Sequence, residues 1–363
     1  MAVIRFGIIG GGWRAEFYLR IAKALPEQFQ VEGMLIRDKD KAAKMEQVWN
    51  VPTYQTLDTF LDNQSYSFIV LSVSWAASPA YLVELAQRAI PVLAETPPAP
   101  DIEALVRLYE AVGGDAKIQV AEQYLFQPLH AARISIAHSG KLGPISQAQV
   151  SAAHGYHGIS LIRRLLSVQF EDAEINGQAF TSSIVNGPTR DALPSDGSTS
   201  DSNQDIAFLR FGHKLGIFDF TNDQYFSWIR KNRMLVRGSS GEIVNDEVSY
   251  LQDHLTPIYY KLSRVDTGHA GNLEGYYHRG IMGGAEWVYV NPFVGGRLSD
   301  DEVAIATSLL KMEYYVQGGP AFYSLAEASQ DHYLSILVQE AIQTGMIVKS
   351  TKQIWAQKKE RLE

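Results

Sequence analysis

The feature that most constrains this 363-residue chain is its start. The apolar run Ile4-Arg5-Phe6-Gly7-Ile8-Ile9 meets three consecutive glycines, Gly10-Gly11-Gly12, and residues 15–25 then place Phe17, Ile21, Ala22 and Leu25 at helical spacing. A buried strand that turns through glycine straight into a helix is the opening of a crossover unit. The pattern continues with a strand ending near Ile36, a helix over 40–48, a strand at Phe68–Val73 and a helix opening at Ser78-Pro79. Ser78 reads as the N-cap there and Pro79 as the first helical residue. A strand at Val92–Ala94, a helix from Asp101 and a strand at Ile118–Ala121 complete an α/β alternation, so a doubly wound parallel sheet is expected over 1–122.

The texture changes from residue 123 onward. Period-two strands are expected at Gln147–Ala152, Ile206–Phe211 and Gly216–Thr221, the last two joined through Gly212-His213-Lys214 as a hairpin. Residues 182–204, rich in Ser, Asp, Gly and Pro, read as a long exposed loop. Ser299…Glu302 and Ser324…Glu327 fit capping boxes, and Gly345 suits the end of the second helix. Residues 123–363 are therefore expected to form an α+β domain on a large open, mostly antiparallel sheet.

Composition narrows the function classes. A net charge of -8 argues against nucleic acid, since phosphate binding needs surplus Lys and Arg. The absence of cysteine removes disulfides, thiolate metal sites and a cysteine nucleophile. With neither a signal-peptide pattern nor an apolar run near the roughly 18 residues of a membrane span, a cytoplasmic protein without membrane association is expected.

Gly10-Gly11-Gly12-Trp13-Arg14-Ala15 fits G-x-G-x-x-A between strand and helix. The first Gly permits the tight turn, Gly12 lets main chain approach a pyrophosphate, and Ala15 lets the helix sit close to the sheet. NAD or NADP is the cofactor this implies. An acid should close the second strand to accept from the ribose hydroxyls, yet Ile36 stands there and Arg37 follows. A guanidinium at that point suits a 2′-phosphate, with Arg14 as a second cation, so NADP is preferred.

Longer motifs resemble the glucose–fructose oxidoreductase, inositol dehydrogenase and rhizopine-catabolism family (Gfo/Idh/MocA). Val92-Leu93-Ala94-Glu95-Thr96-Pro97-Pro98 is similar to its V-L-x-E-K-P-x. Val120-Ala121-Glu122-Gln123-Tyr124 with Pro128, and Ser139-Gly140-Lys141-Leu142-Gly143, resemble its domain-joining strand and the next helix end. Gly155-Tyr156-His157-Gly158-Ile159-Ser160-Leu161 resembles G-x-H-x-x-D-L, and Tyr323-Ser324-Leu325-Ala326-Glu327-Ala328 resembles the start of its final helix.

The resemblance implies an NAD(P)-dependent oxidoreductase of carbohydrate metabolism, transferring hydride to or from a sugar, inositol or related polyol as a homo-oligomer, dimer or tetramer. It assigns Gly10, Gly12, Trp13, Arg14, Arg37, Val73, Ser74, Glu95, Thr96 and Gln123 to the cofactor, His157 to proton transfer, and Tyr124, His154 and Tyr156 to the substrate. Thr96 stands where the family has Lys, Ala153 where it often has Asp, Val73-Ser74 where it has T-P, and Ser78 where it commonly has His. These departures keep open an alternative, a catalytically reduced member that binds nucleotide or sugar as a sensor or partner subunit. A third reading is a tightly held cofactor used for transient oxidation within elimination or epimerisation. His154 and His157, three apart with no carboxylate assigned beside them, are not expected to hold a metal. Tyr276, Tyr277, His278 and Arg279 form a polar-aromatic cluster suited to a sugar site or a subunit contact.

Overall fold

A computed structural model describes residues 2–62 and 66–357. The chain divides into two compact units, the first of 1–128, 265–280 and 290–329, the second of 129–264, 281–289 and 330–363.

The first unit is built on β1 (Ile4–Ile9), β2 (Phe29–Leu35), β3 (Thr53–Tyr54), β4 (Phe68–Leu71), β5 (Val92–Ala94) and β6 (Ile118–Val120), in the order β3-β2-β1-β4-β5-β6. Every pairing is parallel, so all six strands end on one edge. That order is the doubly wound arrangement expected from the alternation, with its switch point between β1 and β4. Helices α1 (Ala15–Ala24), α2 (Lys39–Trp49), α3 (Leu57–Leu61), α4 (Ser78–Gln87) and α5 (Ile102–Val112) lie between the strands in sequence. Phe6 stacks on Phe68 at 5.8 Å across β1 and β4, and Tyr18 of α1 meets Phe6 edge-on at 6.3 Å. Ser78 turns out to be the first helical residue and Ala77 the cap, because the turn from Ser74 already runs into the helix through Ser78 N–H to Ser74 O.

Late segments complete this unit. The Gln119 side chain on β6 accepts from the Phe322 and Tyr323 amides, and Val120 N–H donates to Tyr323 O. Arg20 on α1 pairs with Glu302 at 2.8 Å, and Gln127 donates to Asp301 at 2.6 Å. Both expected capping boxes form, around Ser299 with Glu302 and Ser324 with Glu327.

The second unit carries most of an 11-stranded sheet. Helix α6 (Pro128–His138) leads into β7 (Ile145–Ser151), followed by helix α7 (Gly155–Leu166) and then β8 (Glu174–Val185), β9 (Thr199–Phe211), β10 (Lys214–Thr221), β11 (Arg233–Gly238), β12 (Gly241–Val244), β13 (Glu247–Leu251), β14 (Pro257–His269), β15 (Asn272–Gly283) and β16 (Glu286–Val290). Helices α8 (Asp300–Val316) and α9 (Leu325–Thr344) and the short β17 (Val348–Lys349) close the chain. The order is β16-β15-β14-β13-β12-β11-β7-β10-β9-β8-β17, antiparallel at β7–β11 and β9–β10 and parallel at β7–β10. One expectation is corrected here: 182–204 is not a loop. β8 and β9 pair as far as Val185 opposite Thr199, leaving only 186–198 to connect them. Hydroxyl and amide side chains hold this end of the hairpin, Thr181 to Asn203 and Asn186 to Ser198, and such residues show no apolar alternation to read.

α7 lies tightly on its sheet. A Cβ at Gly158 would stand 2.6 Å from the Phe218 ring, so only glycine allows that approach. α7 is also tied to α9 by Arg163 and Asp331 at 2.6 Å, with side chains 6% and 3% exposed. A buried pair contributes little net stability while complete, but loss of one partner strands a charge. Asp331→Ala is therefore expected to cost about 3–5 kcal/mol in urea unfolding, with Arg163→Met/Asp331→Leu recovering most of it. A loss under ~1 kcal/mol for the single variant would put this pair with ordinary surface bridges.

Candidate functional site

The β1–α1 turn is fixed by main-chain crowding. Gly10 has φ +117°, and a Cβ there would come within 1.9 Å of the Ser72 carbonyl oxygen after β4 and 3.5 Å of Val73 Cγ1. Gly12 differs: a Cβ there would meet no described atom within 4 Å. Ala15 is fully buried, as close helix–sheet packing requires. The strand edge at the switch point thus presents open space over glycine at a helix N-terminus, where a phosphate group is favoured.

Around this turn the side chains form a buried charge cluster. Arg14 Nε donates to Glu95 Oε1 at 3.0 Å, and the Tyr18 hydroxyl donates to the same oxygen at 2.5 Å. The Arg14 guanidinium also lies over Trp13 at 5.8 Å and Phe17 at 5.2 Å. Burial is the largest influence and opposes the Arg14 charge, but Glu95, Tyr18 and Asp301 together outweigh it and hold the guanidinium above its ordinary range. Burial, and then Glu95, push the Tyr18 phenol up. Glu122 after β6 is 1% exposed; burial pushes its carboxyl up to about 8 despite the Tyr124 amide donating to it at 3.1 Å and the nearby Arg14 charge. Gln123 is buried beside it, and its Oε1 has no hydrogen-bond partner among the described residues.

The remaining expected cofactor residues sit on the same strand edge. Val73 and Thr96 are half-buried, Ser74 is exposed, and Trp13 is 53% exposed. Ile36 is buried, reaching to 3.0 Å of where a Gly11 Cβ would stand, and Arg37 just beyond it is exposed. Asp38 caps α2, accepting from Lys41 N–H at 2.9 Å.

The second unit gathers the other residues at the start of α7. His154 is its N-cap residue, and Tyr156 and His157 lie buried in its first turn. His154 and His157 rings are 5.0 Å apart, Tyr156 and His157 4.4 Å, and Tyr156 and His332 of α9 5.5 Å. The Tyr225 hydroxyl meets His154 Nδ1 at 2.5 Å and its amide at 3.1 Å. Burial, reinforced by His157, lowers the His154 imidazole to about 4. Among the described residues no group of three His, Asp or Glu side chains is placed to hold a metal, and no helix is long and apolar enough to cross a membrane. In the Tyr276–Arg279 stretch, Tyr276 lies under the Arg297 guanidinium at 4.5 Å and His278 Nδ1 meets Asp266 at 3.1 Å.

Four residues of these clusters escape the motif reading. Tyr18 is legible afterwards, since it lies four positions from Arg14 on one helix face. Glu122 lies inside a quoted motif but draws no role from it. Tyr225 and His332 reach the α7 start from distant sequence, which no local pattern announces.

A doubly wound unit with a glycine turn at its switch point is a frame in which dinucleotides are commonly bound. Residues 4–122 match the model of the Gfo/Idh/MocA family, described as an oxidoreductase family with an NAD-binding Rossmann fold. The whole fold is similar to solved structures. A levoglucosan dehydrogenase in complex with NADH and levoglucosan superposes with TM-score 0.68 at 16% identity, over 95% of this chain and 99% of that one. A myo-inositol dehydrogenase from Corynebacterium glutamicum gives 0.64 at 15%, over 96% and 99%. An Agrobacterium radiobacter oxidoreductase in complex with NAD+, L-tartaric acid and magnesium gives 0.66 at 13%, over 95% and 98%. No curated protein matches the chain.

A carboxyl raised from 4.5 to about 8 keeps its proton in the folded state after the unfolded chain has lost it. Its burial therefore costs increasing stability as pH rises through that window. Relative to wild type, Glu122→Gln should gain on the order of 3 kcal/mol in unfolding free energy between pH 4.5 and pH 8. A difference that stays flat with pH would show Glu122 ionised as readily folded as unfolded.

Proposed function

We propose that the protein is an NAD(P)-dependent oxidoreductase that transfers hydride to or from a carbinol carbon of a sugar, inositol or related polyol. The observation that carries this reading is the glycine turn, closed by Ser72 at Gly10 and open at Gly12. The residues present fit the cofactor. Main-chain amides at the start of α1 suit a pyrophosphate, and the buried, unsatisfied Gln123 Oε1 suits an amide donor such as a carboxamide. Val73, Ser74, Glu95 and Thr96 complete its proposed surroundings. NAD(P) bound there supplies a hydride acceptor or donor.

NADP is favoured over NAD at the adenosine end. Ile36 brings no carboxylate to the ribose, and Asp38 is spent on capping α2. Arg37 is exposed at the strand end, and Lys41 Cε stands 3.4 Å from where a Gly11 Cβ would be, so two cations serve a 2′-phosphate. Arg14 is engaged by Glu95 and acts through it.

On the substrate side, His157 is the proposed group that takes or returns the hydroxyl proton, with His154, Tyr156 and Tyr124 holding neighbouring oxygens. Thr96 contributes at most a neutral hydrogen bond, so the positive charge its family position usually carries is missing from this chemistry. A sheet-based homo-oligomer in the cytoplasm completes the proposal.

Titration of purified protein with NADH and NADPH is the test. Roughly micromolar binding is expected, tighter for NADPH, with Arg37→Ala removing about tenfold of that preference. His157→Ala should leave binding in place and lower polyol turnover about 100-fold or more. Binding of neither cofactor by folded protein free of carried-over nucleotide would overturn the redox reading and favour a sensor or partner subunit.

A further inference from the structure

Tyr225 stands outside every motif, yet it makes the shortest polar contact at the start of α7. It ends a 3-10 turn, Asn222–Tyr225, closed by a Thr221–Gln224 capping box. The Gln224 amide donates to Ser151 O at 2.8 Å and Lys231 O at 3.2 Å, and its oxygen accepts from Thr221 N–H and the Ser151 hydroxyl. The Tyr225 ring packs on Phe220 at 5.2 Å. The hydroxyl is therefore held in place by the sheet before any ligand arrives.

The hydrogen bonds of Tyr225 bear directly on the state of His154. Its main-chain N–H can only donate, so Tyr225 Oη accepts at 3.1 Å. The phenol carries one proton, and the 2.5 Å contact to Nδ1 fits an O–H donating to an unprotonated nitrogen. Burial keeps the imidazole neutral, which supplies that nitrogen. The ring's own proton is then on Nε2.

We propose that Tyr225 is a positioning residue that fixes His154 as the neutral Nε2–H tautomer, a permanent hydrogen-bond donor to a substrate oxygen. This rests on the reading that the α7 start holds the substrate, and it divides the two histidines. His154 donates and does not titrate during turnover; His157, 5.0 Å away, is left to carry the proton. The substrate class that suits the pair is a vicinal diol or polyol, with one oxygen accepting from His154 while its neighbour exchanges a proton with His157.

The test uses the full-length protein labelled with 15N-histidine, the His154 signals being assigned with His154→Gln. The expected spectrum has a pyridine-like Nδ1 and a pyrrole-like Nε2, and Tyr225→Phe is expected to bring the ring into tautomeric exchange. With a polyol substrate, Tyr225→Phe should lower kcat/KM about tenfold, and His154→Gln, which keeps an amide donor, should be insensitive to the further Tyr225→Phe change. A pyrrole-like Nδ1 in the wild type, or independent multiplying effects of the two substitutions, would overturn the proposal. The spectrum reads the tautomer without turnover, so an inactive protein with the expected spectrum would sink the oxidoreductase reading and leave Tyr225's role standing.

Discussion

The first domain depends on one main-chain contact, the approach of Gly10 to the Ser72 carbonyl at the ends of β1 and β4. Any Cβ at Gly10 would overlap that oxygen, and φ +117° excludes other residues independently. Because β1 and β4 pair side by side and their crossovers run in opposite directions along the sheet, the chain must turn sharply there to enter α1. The turn in turn aims the α1 amides off the strand edge and leaves Gly12 with empty space above it. The turn closed at Gly10 thus also shapes the open space at Gly12.

Electrostatics finish what the turn begins. Arg14 leaves the turn directly and is held by Glu95 from the end of β5, while Tyr18 one helical turn later reaches the same carboxylate oxygen. Two strand ends, of β1 and β5, and helix α1 are joined through a single largely buried ion pair, whose burial is offset by the partners its polar groups find. A fourth group, Glu122, sits where a second negative charge would upset this balance, and burial keeps it protonated through neutral pH. In the second domain Tyr156 and His157 are buried at the start of α7, Tyr156 meets His332 edge-on, and Tyr225 bonds the half-buried His154.

Much of the first domain is legible in sequence because each strand and helix carries its own local signal, and crossover topology follows from alternation. The two capping boxes and the β9–β10 hairpin are equally local. What fails is anything whose cause is distant. The 182–204 stretch reads as a loop because its strand ends are mostly Ser, Thr, Asn and Asp, and Ile184 is its one buried apolar side chain in β8 and β9. The return of 290–329 to the first unit is invisible to periodicity, although Gln119 with its two amide donors is what anchors it. In the candidate site, Gly10, Arg14, Glu95 and His157 are readable as motif positions. That Arg14 is bound to Glu95, and that the Tyr225 hydroxyl meets His154, are facts of tertiary contact. Ile36 and Arg37 lie between these cases: the missing acid is plain in sequence, but only the structure shows Asp38 occupied as a helix cap.

In the proposed reading the open space at Gly12 is functional and the crowding at Gly10 structural. Gly12→Val separates the two, since the added side chain meets no described protein atom within 4 Å of its Cβ but enters the region assigned to the pyrophosphate. Paired urea unfolding and NADPH titration of this variant is the most direct measurement. Unfolding within about 1 kcal/mol of wild type is expected together with at least ~100-fold weaker NADPH binding. Retained binding at wild-type stability would contradict that reading and move the nucleotide away from the glycine turn.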